Sequence, residues 1–234
     1  MNIREMHYDF KKKFNKIDSQ KNRNLLVPEI DWTLNEAISL FIKWIAQPRV
    51  RTQLGFELSH ATTEDVRTLV VTQSIVPNVN KAVVLPANYK YFVRARAVLS
   101  KSTCTAKDAI VVIQQHDDTF EESAFYTSSF EWREVNAVFN SQGLQFFTDD
   151  TFKIDEVYLT YIRKHVYVHN AQDFGTGGTY TLPSGVTLTG AVDCELPEHT
   201  HREIVDIAVM LAAGEIQTSD FQLRLGKLQL NQIV

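Results

Sequence analysis

From Ile204 to Ala213 the chain is apolar on nearly every side of a helix, and this run constrains the fold more than any other segment. Ile204, Ile207, Ala208, Leu211 and Ala212 fall at helical spacing, and Val205, Val209 and Met210 fill the remaining sides. Only Asp206 is left to face water. A helix that is apolar all round must be enclosed. The enclosure has to come from helices at the far N-terminal end or from neighbouring subunits, which points to an assembly protein rather than an enzyme. The lead-in, Cys194-Glu195-Leu196-Pro197-Glu198-His199-Thr200-His201-Arg202-Glu203, reads as the end of a β-region turning through proline into that helix.

The N-terminal segment offers partners. Ile3, Met6, Phe10, Phe14 and Ile17 recur at steps of three and four, with Arg4, Lys11, Lys12 and Lys16 off the stripe. The pattern predicts an amphipathic helix with a narrow, coiled-coil-like seam that packs on one other helix, in this chain or another. Lys21-Asn22-Arg23-Asn24 breaks it. Pro28 disfavours helix at the residue before it, so a second helix is expected to start near Asp31 or Thr33. There Thr33-Leu34-Asn35-Glu36 matches a capping box. Leu34, Ala37, Ile38, Phe41, Ile42 and Ile45 then keep helical spacing up to Pro48. Thr62-Thr63-Glu64-Asp65 reads as the start of a further short helix ending near Leu69.

Beyond Ala82 the period changes to two. Ala82–Leu85, Tyr91–Leu99, Ala109–Gln115, Phe130–Phe139, Leu144–Phe147, Ile154–Val168 and Val186–Leu188 read as strands. Turn residues separate them, among them Asn140-Ser141-Gln142-Gly143 and Gly175-Thr176-Gly177-Gly178. Short strands at this spacing suggest an antiparallel β-sandwich. The fold class expected is therefore α+β, with terminal helices (1–70 and 196–216) forming a helical subdomain and an antiparallel β-sandwich (71–195) inserted between them. Residues 217–234 are expected to form a C-terminal extension contacting a neighbour, the alternative being docking on the chain's own β-domain. In it Phe221, Leu223 and Leu225 alternate like a strand, and Leu228 and Leu230 resume the pattern after Gly226. A glycine at such a phase change is typical of a bulge. The extension and the N-terminal seam are the segments expected to meet a subunit or partner.

Composition excludes several function classes. The chain has 234 residues, is 44% hydrophobic and carries a net charge of −4, so no basic footprint argues for nucleic acid. The one basic cluster, Lys11-Lys12-Lys13 with Lys16, reads as a solvated helix face or a partner contact. Two cysteines far apart, Cys104 and Cys194, make no disulfide framework and suit a reducing cytoplasm. The start of the chain does not read as a signal peptide, and no apolar run reaches the roughly 18 residues of a membrane span.

No constellation carries chemistry convincingly. His199 and His201, near Cys194, Glu195 and Glu198, form the best metal candidate, but on a helix start they point to different sides. They read instead as polar helix-start residues, with the acidic ones favoured by the dipole. His165 and His169 on a strand would lie roughly 13 Å apart, too far to share an ion. His116-Asp117-Asp118 with Glu121-Glu122 lacks a calcium-loop signature. Phe174-Gly175-Thr176-Gly177-Gly178-Thr179 has no lysine or helix start after it, so it reads as a hairpin turn rather than a phosphate cradle. Asp149-Asp150 are turn residues, and no nucleophile elbow is present. Neither catalytic residues nor a metal or cofactor are expected.

Leu196-Pro197-Glu198-His199-Thr200-His201-Arg202-Glu203-Ile204-Val205-Asp206-Ile207-Ala208-Val209 resembles the structural ring proteins of the connector, collar or tail of podovirus-type tailed phages, especially crAss-like phages of Bacteroidetes. Val157-Tyr158-Leu159-Thr160-Tyr161-Ile162-Arg163-Lys164 and Met1-Asn2-Ile3-Arg4-Glu5-Met6-His7-Tyr8-Asp9-Phe10-Lys11-Lys12-Lys13 support the likeness, which spans most of the chain in order. The resemblance implies a virion protein assembled in the host cytoplasm as a homo-oligomeric, twelvefold ring. Such a ring stacks between the portal and the distal tail proteins, with genomic DNA only passing through its channel and no membrane involved. It brings no catalytic residues. The other reading is a carbohydrate- or receptor-binding β-sandwich module of a tail fibre or surface protein. That reading would be favoured by Trp132, Tyr158 and Tyr161 clustering on one sheet face.

Overall fold

The computed structural model describes residues 1–15, 25–46, 64–102, 104–114, 127–141 and 143–215. The chain is of mixed α+β class and divides into two compact units. One comprises Met1–Leu69 with His165–Val234, the other Val70–Lys164. The second boundary thus falls well before the expected one near 195.

In the first unit, α1 (Ile3–Asn15) and α2 (Val27–Ala46) pack on α3 (His201–Glu215). A reciprocal cap opens α1: the Asn2 side-chain oxygen accepts from the Glu5 amide at 2.8 Å, and Glu5 accepts from the Asn2 amide at 3.1 Å. Ile3, Met6, Phe10 and Phe14 are buried. Of the two partners the pattern leaves open for this seam, a helix of this chain or of another, the chain's own helices cover these four residues. Ile17, the last seam position, lies outside the described residues.

α2 starts earlier than the sequence pattern suggests. Pro28 sits in its first turn, where a missing N–H costs nothing, and Glu29 reaches back to the Leu26 amide at 2.7 Å. Thr33 is therefore inside the helix, and its hydroxyl donates to the Glu29 carbonyl at 2.8 Å. On α3, Ile204, Val205, Ile207, Ala208, Val209, Met210, Ala212 and Ala213 are buried while Asp206 is exposed. No helix among the described residues is long and apolar enough to cross a membrane.

The second unit is built on one large curled sheet of seven strands, in the order β1-β7-β3-β4-β5-β6-β2. These are β1 (Val70–Ile75), β2 (Ala82–Val83), β3 (Tyr89–Lys101), β4 (Cys104–Gln114), β5 (Glu134–Asn140), β6 (Gly143–Phe147) and β7 (Lys153–Arg163). All neighbouring pairs are antiparallel except β4 and β5, which run parallel from Ile110↔Glu134 to Gln114↔Val138. The sequence pattern anticipates two antiparallel sheets instead, because it encodes which face of a strand is apolar but not which strand it pairs with. Alternate residues of β3 to β7 line one core, with alanines at 95, 97, 109 and 137 leaving room for Leu99, Phe146, Leu159 and Tyr161. Gly143 (φ 135°) permits a close strand approach, since a Cβ there would lie 2.1 Å from the Val83 carbonyl oxygen.

β7 ends at Arg163, so His165 and His169 are not strand residues, apart from a single bridge pairing His169 with Val192. Residues after Lys164 belong with the helices and include the small hairpin of β8 (Thr179–Thr181) and β9 (Thr187–Thr189). The glycine-rich segment is a turn leading into β8, not the hairpin loop itself.

Candidate functional site

The most completely built polar site lies within the helical unit, around Asp31 of α2. The residue is 0% exposed. Its helix dictates the placement: Asp31 and Asn35 are four residues apart and share a face, flanked by buried Ile30, Leu34 and Ile38. The Asp31 carboxylate accepts from His7 Nε2 of α1 at 2.7 Å and from the Tyr180 hydroxyl of β8 at 2.7 Å. It also accepts from the Asn170 amide, at 3.2 Å to Oδ1 and 3.1 Å to Oδ2. Beside it, Asn35 Nδ2 donates to the Asp31 and Val168 carbonyls, both at 2.7 Å, and Asn35 Oδ1 accepts from the Val168 amide at 2.9 Å.

This knot fastens α1, α2, residues 168–170 and β8 to one another. Burial, followed by the bond to Asp31, pushes the Tyr180 hydroxyl far above its usual range. Burial and then the Asp31 charge push Tyr167 up as well. With donors on both oxygens and no exposure, the carboxylate holds chain segments together and is closed to solutes. The sequence signal for it was a polar i, i+4 pair set in an apolar stripe, obscured by placing the start of α2 at Asp31 or Thr33.

The candidate metal residues do not converge. His199 Nε2 lies 2.8 Å from Asp65 Oδ1, whereas both ring nitrogens of His201 face backbone carbonyls. Cys194 is free, and burial pushes its thiol up to about 11. The ammonium of Met1 bonds Glu198 and holds its carboxyl below the usual range. Among the described residues no group of three or more His, Cys, Asp or Glu side chains is placed to hold a metal ion. His116, Asp117, Asp118, Glu121 and Glu122 lie outside the described residues, as do Phe221, Leu223, Leu225, Leu228 and Leu230. Lys11 and Lys12 are exposed, while Lys13 pairs with Asp9 and Asp206, each at 2.8 Å.

In the sheet unit, Tyr161 is 1% exposed and points into the core, its hydroxyl reaching Asn88 at 2.9 Å. Tyr158 lies on the opposite face under the Arg96 guanidinium, 4.8 Å from the ring centroid, and donates to Glu156 at 2.7 Å. Ser74 donates to the same carboxylate, and these bonds hold Glu156 below the usual range. The aromatic residues of the binding-module reading therefore do not share a face. A cavity of about 550 Å³ opens near β5 and β6. Much of its polar lining is already engaged: Ser128 accepts from the Asn136 amide and donates to the Phe147 carbonyl, and Gln145 donates to the Asn80 carbonyl. Elsewhere on this unit Trp132 is 85% and Ile110 71% exposed. Their backbones are near one another, since the Ile110 amide donates to the carbonyl of Arg133, the residue after Trp132, at 2.8 Å.

Compared with models of known protein families the sequence matches none, and no curated protein matches it.

Proposed function

We propose that the chain is a structural virion protein forming a ring in the head-to-tail connector or tail of a tailed phage, linking portal to distal tail around the DNA channel. The observation that carries this reading is the exposed pair Trp132 and Ile110 on the sheet unit. Exposed apolar surface, where it is contiguous, marks contact surfaces, and aromatic residues are enriched where proteins meet. The sealed Asp31 knot fits a scaffold that keeps its shape while neighbours load it. In this reading the terminal helices are the scaffold, the curled sheet serves as the inserted sandwich domain, and the ring is twelvefold. The likeness of 196–209 to phage ring proteins supports the same assignment.

A cryo-EM reconstruction of the virion tests it. The expected result is a closed ring of this chain between portal and tail, with Trp132 and Ile110 in a subunit or partner interface. A map placing the chain singly on a fibre, or leaving both side chains in solvent, overturns it.

A further inference from the structure

His201 is the first residue of α3, and the residue is 4% exposed. Its Nδ1 lies 2.9 Å from the carbonyl oxygen of Met1, and its Nε2 lies 2.8 Å from the carbonyl oxygen of Leu196. A carbonyl can only accept. A neutral imidazole carries one N–H and the imidazolium carries two, so both contacts are hydrogen bonds only in the cation. In the neutral ring one contact sets a nitrogen lone pair against an oxygen lone pair.

We propose that His201 is a proton-operated clamp on the entry of α1. Protonated, it joins the Met1 carbonyl to the turn that opens α3. On losing a proton it keeps one carbonyl and releases the other; where the Met1 contact is the one released, the Met1 ammonium's bond to Glu198 at 2.8 Å is the tie that remains there. The next tie along α1 is the Ile3 amide, which donates to Asp193 Oδ1 at 2.7 Å. Loosening therefore begins at Met1 and Asn2 and bears on Ile3, the first residue of the buried seam.

The groups around the ring oppose one another. The two carbonyl dipoles and Glu198 in the preceding turn favour the cation. Burial, the positive end of α3, the Met1 ammonium and the neighbouring Arg202 disfavour it. Cys194, with its thiol pushed up, contributes no charge.

The test uses the full chain. Nitrogen-detected NMR of the imidazole reads how many ring nitrogens carry protons, and amide hydrogen exchange at Ile3 and Glu5 reads the helix entry, both followed from about pH 5 to 8. The expected result is two protonated nitrogens on His201 at the acid end. As the second proton leaves, intrinsic-rate-corrected exchange should rise about fivefold, the size of one lost hydrogen bond. In His201→Gln the rise should vanish. A ring with a single proton throughout, or the same rise in His201→Gln, overturns the proposal. If His201→Gln does not fold, the wild-type imidazole spectrum decides alone.

Discussion

The helical unit and the sheet unit solve the same problem with different chemistry. The sheet unit is held by local repetition: strands alternate, their ladders satisfy the backbone, and one apolar face closes on a core from Ala95 to Tyr161. Removing one side chain there weakens a surface that many others share. The helical unit combines an apolar seam with a directional polar knot, in which Asp31 receives bonds from His7, Asn170 and Tyr180 across 149 residues of sequence. A polar knot of this kind tolerates little, because each missing partner leaves a buried group without a bond. Apolar periodicity specifies a unit broadly, whereas buried polar bonds specify which distant loops belong to it.

Asp31→Ala breaks the comparison hardest. It leaves the Asn170 amide, the Tyr180 hydroxyl and His7 buried without their acceptor, and should cost about 3–5 kcal/mol. Hydrogen exchange read by mass spectrometry should show the loss in α1, α2 and 168–180, with β3 and β7 little changed; uniform loss across both units would erase the contrast. Gly143→Ala is the counterpart in the sheet. With a Cβ 2.1 Å from the Val83 oxygen and φ at 135°, it should cost about 3 kcal/mol, seen as faster exchange in β2 and β6.

Tyr180→Phe sharpens the knot's share. Only the hydroxyl is lost, and urea unfolding should report about 2 kcal/mol, the range for a bond to a charged acceptor. The smallest effect lies at Asp173. The Asn170 side-chain Nδ2 first, and the Arg4 guanidinium second, hold its carboxyl below the usual range. A depressed folded value means that the contribution is present above the unfolded carboxylate range, near pH 4, and is lost as pH falls through the folded value. The pair is exposed, so screening limits it to under about 1 kcal/mol. Asp173→Asn should flatten the acid limb of stability by that amount and leave neutral pH nearly unchanged.

Periodicity carried the reading of α1, α2 and α3, because burial imposes a repeat that survives in one dimension. The same holds for most strands: β3, β4, β6 and β7 fall close to their apolar alternation. β1 escaped notice because Thr72, Gln73 and Ser74 are exposed and its pattern is weak. The parallel pairing of β4 with β5 is a choice between partners, which no strand's own pattern contains. Residues 165–195 read as more β-domain because Val168, Asn170 and Tyr180 declare their allegiance only through bonds to Asp31 and Asn35. The knot itself was half visible. Asp31 and Asn35 are conspicuous in an apolar stripe once the helix is known to begin at Val27, but Pro28 pointed to a later start.

The helical unit draws on both ends of the chain, and this sets an order of events during synthesis. Ile3, Met6, Phe10 and Phe14 leave the ribosome long before Ile204 and Ile207, against whose helix they pack. At about 5–20 residues per second the interval is roughly 10–40 s. Throughout it a sticky helical stripe has no native cover, while the whole of Val70–Lys164 is already available to fold. The seam of α1 is thus among the first parts of the chain to be made and among the last to meet the helix it packs on.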